Sequence, residues 1–145
     1  MRTIKFRGKR IDNGEWVYGS LDSTDERPAI SWLRTNEDGE QVPWFAYVKA
    51  DTVGQFSGLT DQNGKEIYEG DIITLKGDYP RVVLWDKMSW ALMPTEYYHD
   101  EYFWVMNLQH PGLDWWEEYA DEFEIIGNIY ENPDMLKGGN HGERL

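Results

Sequence analysis

Apolar and polar positions alternate in short runs, separated by turn formers, along nearly the whole chain. Ile4 and Phe6 alternate with Lys5 and Arg7, a period of two that predicts a strand with an apolar face and a solvated basic face. Gly8 interrupts this run and reads as a bulge. Asp12-Asn13-Gly14 supplies a turn and Trp16-Val17-Tyr18 begins the return, so residues 3–21 are expected to form a hairpin. After a polar loop over 22–28, residues 29–34 and 41–49 predict a second hairpin around 36–39. Pro43 lacks a backbone donor, so its strand starts late or lies at a sheet edge.

The stretch from Asp51 to Asp71 organises the chain. In it Gly54, Gly58, Gly64 and Gly70 alternate with single apolar residues at Val53, Phe56, Leu59 and Ile67. Glycine is required where φ is positive or another chain passes close, so this spacing predicts a path of turns, each pinned to a core by one apolar residue. Asn63-Gly64 is the strongest short hairpin signal, and Asp61 is placed to cap that turn with its side chain. Tyr18 and Tyr68 each follow the Asn of an Asn-Gly pair by five residues, as two hairpins sharing one turn chemistry would arrange.

Further on, Gly70-Asp71 leads into Ile72-Ile73-Thr74-Leu75, and residues 81–85 and 89–93 form two strands about Asp86-Lys87. Residues 125–130 give a closing strand that Asn132-Pro133 ends. Four such strands can close a small barrel. The aromatic-rich insertion at 94–124 is expected to add a strand at 102–106. A 3–4-residue spacing of Leu113, Trp116, Tyr119 and Phe123 predicts a short helix near 114–123, with Asp114 as cap and Glu117 completing a capping box. The predicted fold is mainly β: an N-terminal β module over 1–56, a turn-rich connector over 57–70, an SH3-like small barrel with a short helical insertion over 71–133, and a flexible tail over 134–145.

Charge and composition narrow the function. The net charge is −13, yet five of the 14 basic residues fall in the first ten positions; the other 135 residues hold nine bases against all 27 acids, a net of −18. Between Lys87 and Lys137 there is no Lys or Arg, while 11 acids and 11 aromatics occur there. Such a surface repels nucleic acid. With no cysteine there is no disulfide and no thiolate metal site. His99, His110 and His141 lack zinc-ligand spacing, no phosphate-binding glycine motif or Gly-x-Ser-x-Gly occurs, and neither a catalytic set nor a cofactor is expected. The first ten residues lack the apolar segment of a signal peptide and no run is long enough to span a membrane, so a soluble intracellular protein is expected.

The residues Ile4–Arg10 with Gly14–Gly19, then Thr52–Leu59 and Asp61–Asp71, then Glu124–Pro133, resemble YopX-like phage and prophage proteins. Three motifs in order cover both ends and the centre. The resemblance implies a largely β, oligomeric phage accessory protein in the cytoplasm of a bacterial host. It lends no catalytic residue. The motif positions Gly54, Gly58, Asp61, Asn63, Gly64, Gly70, Asp71 and Gly127 read as structural. Trp32, Trp44, Phe45, Tyr102 and Trp104 lie in segments flanking two modules too small to bury them, and are the candidate interface, because exposed apolar patches mark contacts. The expected function is therefore protein–protein contact as a homo-oligomer, with host or phage proteins as further partners. The alternative is a DNA mimic, with the acids of 88–136 imitating phosphates. Catalysis is not expected.

Non-specific DNA binding rests on counterion release, and one basic strand must oppose a body of net −18. In a gel shift at about 150 mM salt, a duplex is expected to stay unbound at micromolar protein. A shift at or below that concentration would make the basic strand a nucleic-acid arm.

Overall fold

Four cationic side chains at the start of the chain find aromatic partners or an acid, and this sets the first strand. The structure is a computed structural model that describes residues 3–23, 27–102, 104 and 108–137. It is mainly β, with strands β1 (Phe6–Lys9), β2 (Trp16–Asp22), β3 (Ala29–Thr35), β4 (Gln41–Tyr47) and β5 (Gly54–Thr60). These are followed by β6 (Glu66–Tyr68), β7 (Asp71–Leu75), β8 (Asp78–Asp86), β9 (Ser89–Pro94), helix α1 (Leu113–Tyr119) and β10 (Phe123–Asn128). The chain divides into two units, Met1–Gly58 and Leu59–Leu145. The stretch over 57–70 lies in the β5–β6 region.

In the first unit the antiparallel order is β4-β3-β2-β1-β5. The expected division of β1 into an apolar and a solvated basic face is not found: both faces are covered, with Arg7 and Gly8 buried and Phe6 and Lys9 half-buried. Ile4 is 67 % exposed, while Arg7 is 6 % exposed. Arg7 lies 4.5 Å and Lys9 5.6 Å from the Trp16 ring centroid, and Lys5 lies 5.5 Å from that of Phe56. Long cationic side chains bury their stems and set their charge over a ring, so they line this face where alternation alone predicts water. Arg10 bonds Asp12 at 2.7 Å, which lowers the Asp12 pKa.

Gly8 is not a bulge: the β1–β2 ladder runs through Phe6↔Gly19, Arg7↔Tyr18, Gly8↔Val17 and Lys9↔Trp16 without a break. Glycine is needed there because a Cβ would sit 2.9 Å from the Val48 side chain. Thr52 Oγ1 accepts from Lys9 N and donates to Lys49 O, tying the entrance of β5 to β1.

In the second unit the order is β10-β7-β8-β9. Neighbouring residues on its strands are buried on opposite faces, as the pleat requires. Ile73, Val83 and Leu92 join Ile67, Trp116 and Phe123 in one core. Ile72, Val82 and Met93 form another, covered by Tyr98, Trp104, Met135 and Leu136 among others. The 94–122 insertion and the residues after β10 thus supply lids for a sheet that is apolar on both sides.

The predicted cap is absent. Asp114 lies inside α1, whose N-cap is Gly112 in an extended conformation with no side-chain bond. Pro111-Gly112 brings the chain in extended, and Asp114 adds a first-turn acid instead. The helix is also shorter than its period predicts: Phe123 opens β10 and sits in the first core. Of the strand expected at 102–106, Tyr102 and Trp104 are helical, and residues 103, 105 and 106 lie outside the described residues.

Asp61 holds the second unit's first turn. Its Oδ1 accepts from Asn63 N at 2.8 Å and Lys65 N at 2.9 Å, and its Oδ2 from Ile125 N at 3.0 Å on β10. Gln62 N also donates to Phe123 O. The loop is not the two-residue turn that Asn-Gly suggests. Asp61 N bonds Lys65 O, and Gly64 alone takes a positive φ, +79°; this is a three-residue loop with glycine at its left-handed position. The two-residue turns with both residues left-handed are Lys76-Gly77 and Lys87-Met88.

Two stability experiments follow from these turns. Asp61→Ala leaves three backbone donors without their acceptor and is expected to lower unfolding free energy in urea by about 3 kcal/mol. Asp61→Asn keeps the turn bonds but sets an amide donor toward Ile125 N, costing about 1–2 kcal/mol. Equal stability of all three proteins would show that this carboxylate holds nothing. Conversely, Lys87 at φ +45° and Met88 at φ +71° are strained. The double variant Lys87→Asn, Met88→Gly is expected to gain about 1 kcal/mol in the same assay.

Candidate functional site

The motif glycines and acids turn out to be joints of the fold. Gly70 takes φ +93°, and a Cβ there would sit 3.0 Å from the Tyr130 ring. Its N–H donates to Val83 O, and its carbonyl accepts from Ile129 N. Asp71 is 2 % exposed and accepts from Tyr68 N at 2.7 Å. Gly127 leaves room for Asn132, whose Oδ1 would lie 2.5 Å from a Cβ there and accepts from Asn128 N. Gly58 is left-handed at φ +89°, and Gly54 is buried opposite Arg7. The motifs at 61–71 and 124–133 are therefore laced together within the second unit.

The aromatic candidates divide into two groups. Trp104 is half-buried against the second core, and its Nε1 donates to Tyr98 O; truncating it removes packing from beneath the sheet. Burial raises the Tyr98 pKa. Tyr102 is 67 % exposed. Trp85 is 41 % exposed beside Trp90.

The other group lies on the β3–β4 hairpin. β2 pairs with β3 only over Ser31, Ile30 and Ala29, whereas β3 and β4 remain paired out to Thr35↔Gln41. The distal half is thus a two-stranded ribbon. Trp32 and Trp44 pair across one face, with Arg34 4.5 Å from the Trp44 ring centroid. Leu33, Pro43 and Phe45 share the other face, and Leu33 is 64 % and Phe45 57 % exposed.

Among the described residues of the second unit, Arg81 borders two clefts. The larger, about 640 Å³, is bordered by both signs of charge: Arg81 and Lys137, Glu96 and Asp134. The smaller, about 430 Å³, is walled by Leu75, Leu92, Pro111 and Trp115, with Arg81, Gln109 and His110 as polar members. Arg81 Nε donates to Gln109 Oε1 at 3.0 Å and Nη1 to Tyr79 O at 3.1 Å. Gln109 is itself held by a reciprocal backbone pair with Leu92. His110 Nε2 is 2.8 Å from Asp86 Oδ2. Burial lowers the Arg81 pKa, and no acid pairs with it among the described residues. This cleft was not legible in the sequence: Arg81 and Gln109 are separated by 27 residues and carry no motif. Among the described residues there is no group of three or more His, Asp or Glu placed to hold a metal, and no helix is long and apolar enough to cross a membrane.

The crystal structure of protein EF1440 from Enterococcus faecalis is similar, with a TM-score of 0.51 and 20 % identity over 94 % of this chain and 100 % of that one. At that identity the likeness shows the fold alone. No curated protein matches the chain. The family model described as YopX protein matches residues 5–137, which span both units, the Asp61 turn and the Gly127–Asn132 joint, and the chain belongs to the YopX family.

Proposed function

We propose that this chain is a phage-borne accessory protein, not an enzyme, that acts in the bacterial cytoplasm through protein–protein contacts as a homo-oligomer. The observation that carries the reading is the distal β3–β4 ribbon. A two-stranded ribbon is marginal in water on its own, and this one exposes Leu33, Trp44 and Phe45. Covering both faces with a second copy would bury that apolar surface and complete the ribbon's packing. β4 also ends the order β4-β3-β2-β1-β5, with Pro43 limiting open-ended strand addition. Abundant acid elsewhere opposes random association, which favours a closed symmetric assembly.

A second reading, mimicry of DNA, is supported by the exposed acids Asp114, Glu117, Glu118 and Asp121 on and just after α1. The two differ in chemistry. Competing duplex DNA would release a host protein held by phosphate mimicry, whereas one held by the ribbon would stay bound.

Light scattering across a micromolar dilution series is expected to give a multiple of 17.1 kDa. Replacing Trp44 by Ala and Phe45 by Ser is expected to return the mass to that of one chain, with the β circular-dichroism spectrum retained. A single-chain mass for the unaltered protein throughout the series removes the homo-oligomer.

A further inference from the structure

We propose that the 430 Å³ cleft beside Trp115 binds a small organic monoanion, a carboxylate on a flat apolar body, with the carboxylate on Arg81 and the body against Trp115, Leu75 and Pro111. Three features argue for this ligand. The first is charge. The chain carries a net of −13, yet no Asp or Glu lines this cleft among the described residues, and Arg81 is its one permanently charged member. A half-buried guanidinium without an acid partner is costly, and an anion in the cleft relieves that cost.

The second is geometry. Arg81 is held from two sides, by Gln109 and by the Tyr79 carbonyl, and its ion lies 5.5 Å from the Tyr79 ring centroid. Those two bonds use two of its five N–H groups, and the planar fork that remains matches a carboxylate. Tyr79 itself adopts φ +54°, a left-handed conformation unusual for an aromatic residue, beside the β7–β8 register shift. The third is the wall. Trp115 is half-buried and braced by Trp116, Tyr119 and Phe123, presenting a rigid apolar surface. The volume is at the small end for ligand sites, and one cation neutralises one negative charge, so a carboxylate suits the cleft better than a phosphate dianion.

The full chain can be titrated with benzoate, benzamide and phenyl phosphate, following the Arg81 Nε–H and Trp115 indole N–H resonances by heteronuclear NMR. Benzoate is expected to shift both resonances saturably, with benzamide and phenyl phosphate at least about tenfold weaker. Arg81→Lys keeps the charge and removes the fork, and is expected to weaken benzoate about tenfold. Labelling of Arg81 by phenylglyoxal needs no variant, and benzoate but not benzamide should protect it. Equal binding of benzamide, tighter binding of phenyl phosphate, no saturable shift with benzoate, or unaltered labelling overturns the proposal.

Discussion

A single buried carboxylate, Asp61, ties the second unit together. It is 4 % exposed, and its two oxygens serve different masters: one closes the loop at 61–65, and the other takes the N–H of Ile125, 64 positions along the chain. The loop over 36–40 shows what Asp adds. There Asn36 Oδ1 accepts from Asp38 N and Glu40 N, and Gly39 takes φ +81°, the arrangement found at Asp61, Asn63, Lys65 and Gly64. An amide has one acceptor oxygen and can close a loop. A carboxylate has two, so it can close a loop and hold a distant strand as well.

Around that tie the sheet β10-β7-β8-β9 has no solvent face along its centre. Ile72 and Ile73, Val82 and Val83, and Leu92 and Met93 are all at most 2 % exposed, so consecutive residues must each be roofed. The insertion and the residues after β10 do that. Their aromatics are consumed as roofing at Tyr98, Trp104 and Trp116, while in the first unit the rings of Trp16 and Phe56 accept cations instead. A small chain can therefore carry 22 aromatic residues and still leave only selected ones at its surface.

Those left over are unevenly placed. The distal β3–β4 ribbon exposes bulky apolar side chains on both faces, and the second unit keeps one guanidinium without an acid among the described residues. One suits a broad apolar contact and the other a small anion, two modes of recognition with no shared residue. Membership of the YopX family and the likeness to EF1440 account for the fold and leave the chemistry of both open.

The sequence by itself determined the β class, the hairpins β1–β2, β3–β4 and β8–β9, Asp61 as the cap of its turn and the family, because these rest on local rules: period-two alternation, Asx and Gly turn chemistry, and motif order. It did not determine which face of a strand meets water. Alternation around Phe6 predicts Arg7 outside, yet Arg7 is buried with its guanidinium over Trp16 of the neighbouring strand. Nor could it show why Gly8 must be glycine, since Val48 lies 40 residues away. Asp114 had the spacing of a cap but not the backbone, which Pro111-Gly112 sets. The cleft at Arg81 was beyond any local reading. Its members come from β7, β8, β9, the approach to α1 and α1 itself, and tertiary packing alone brings one charge, one amide and one indole to the same place.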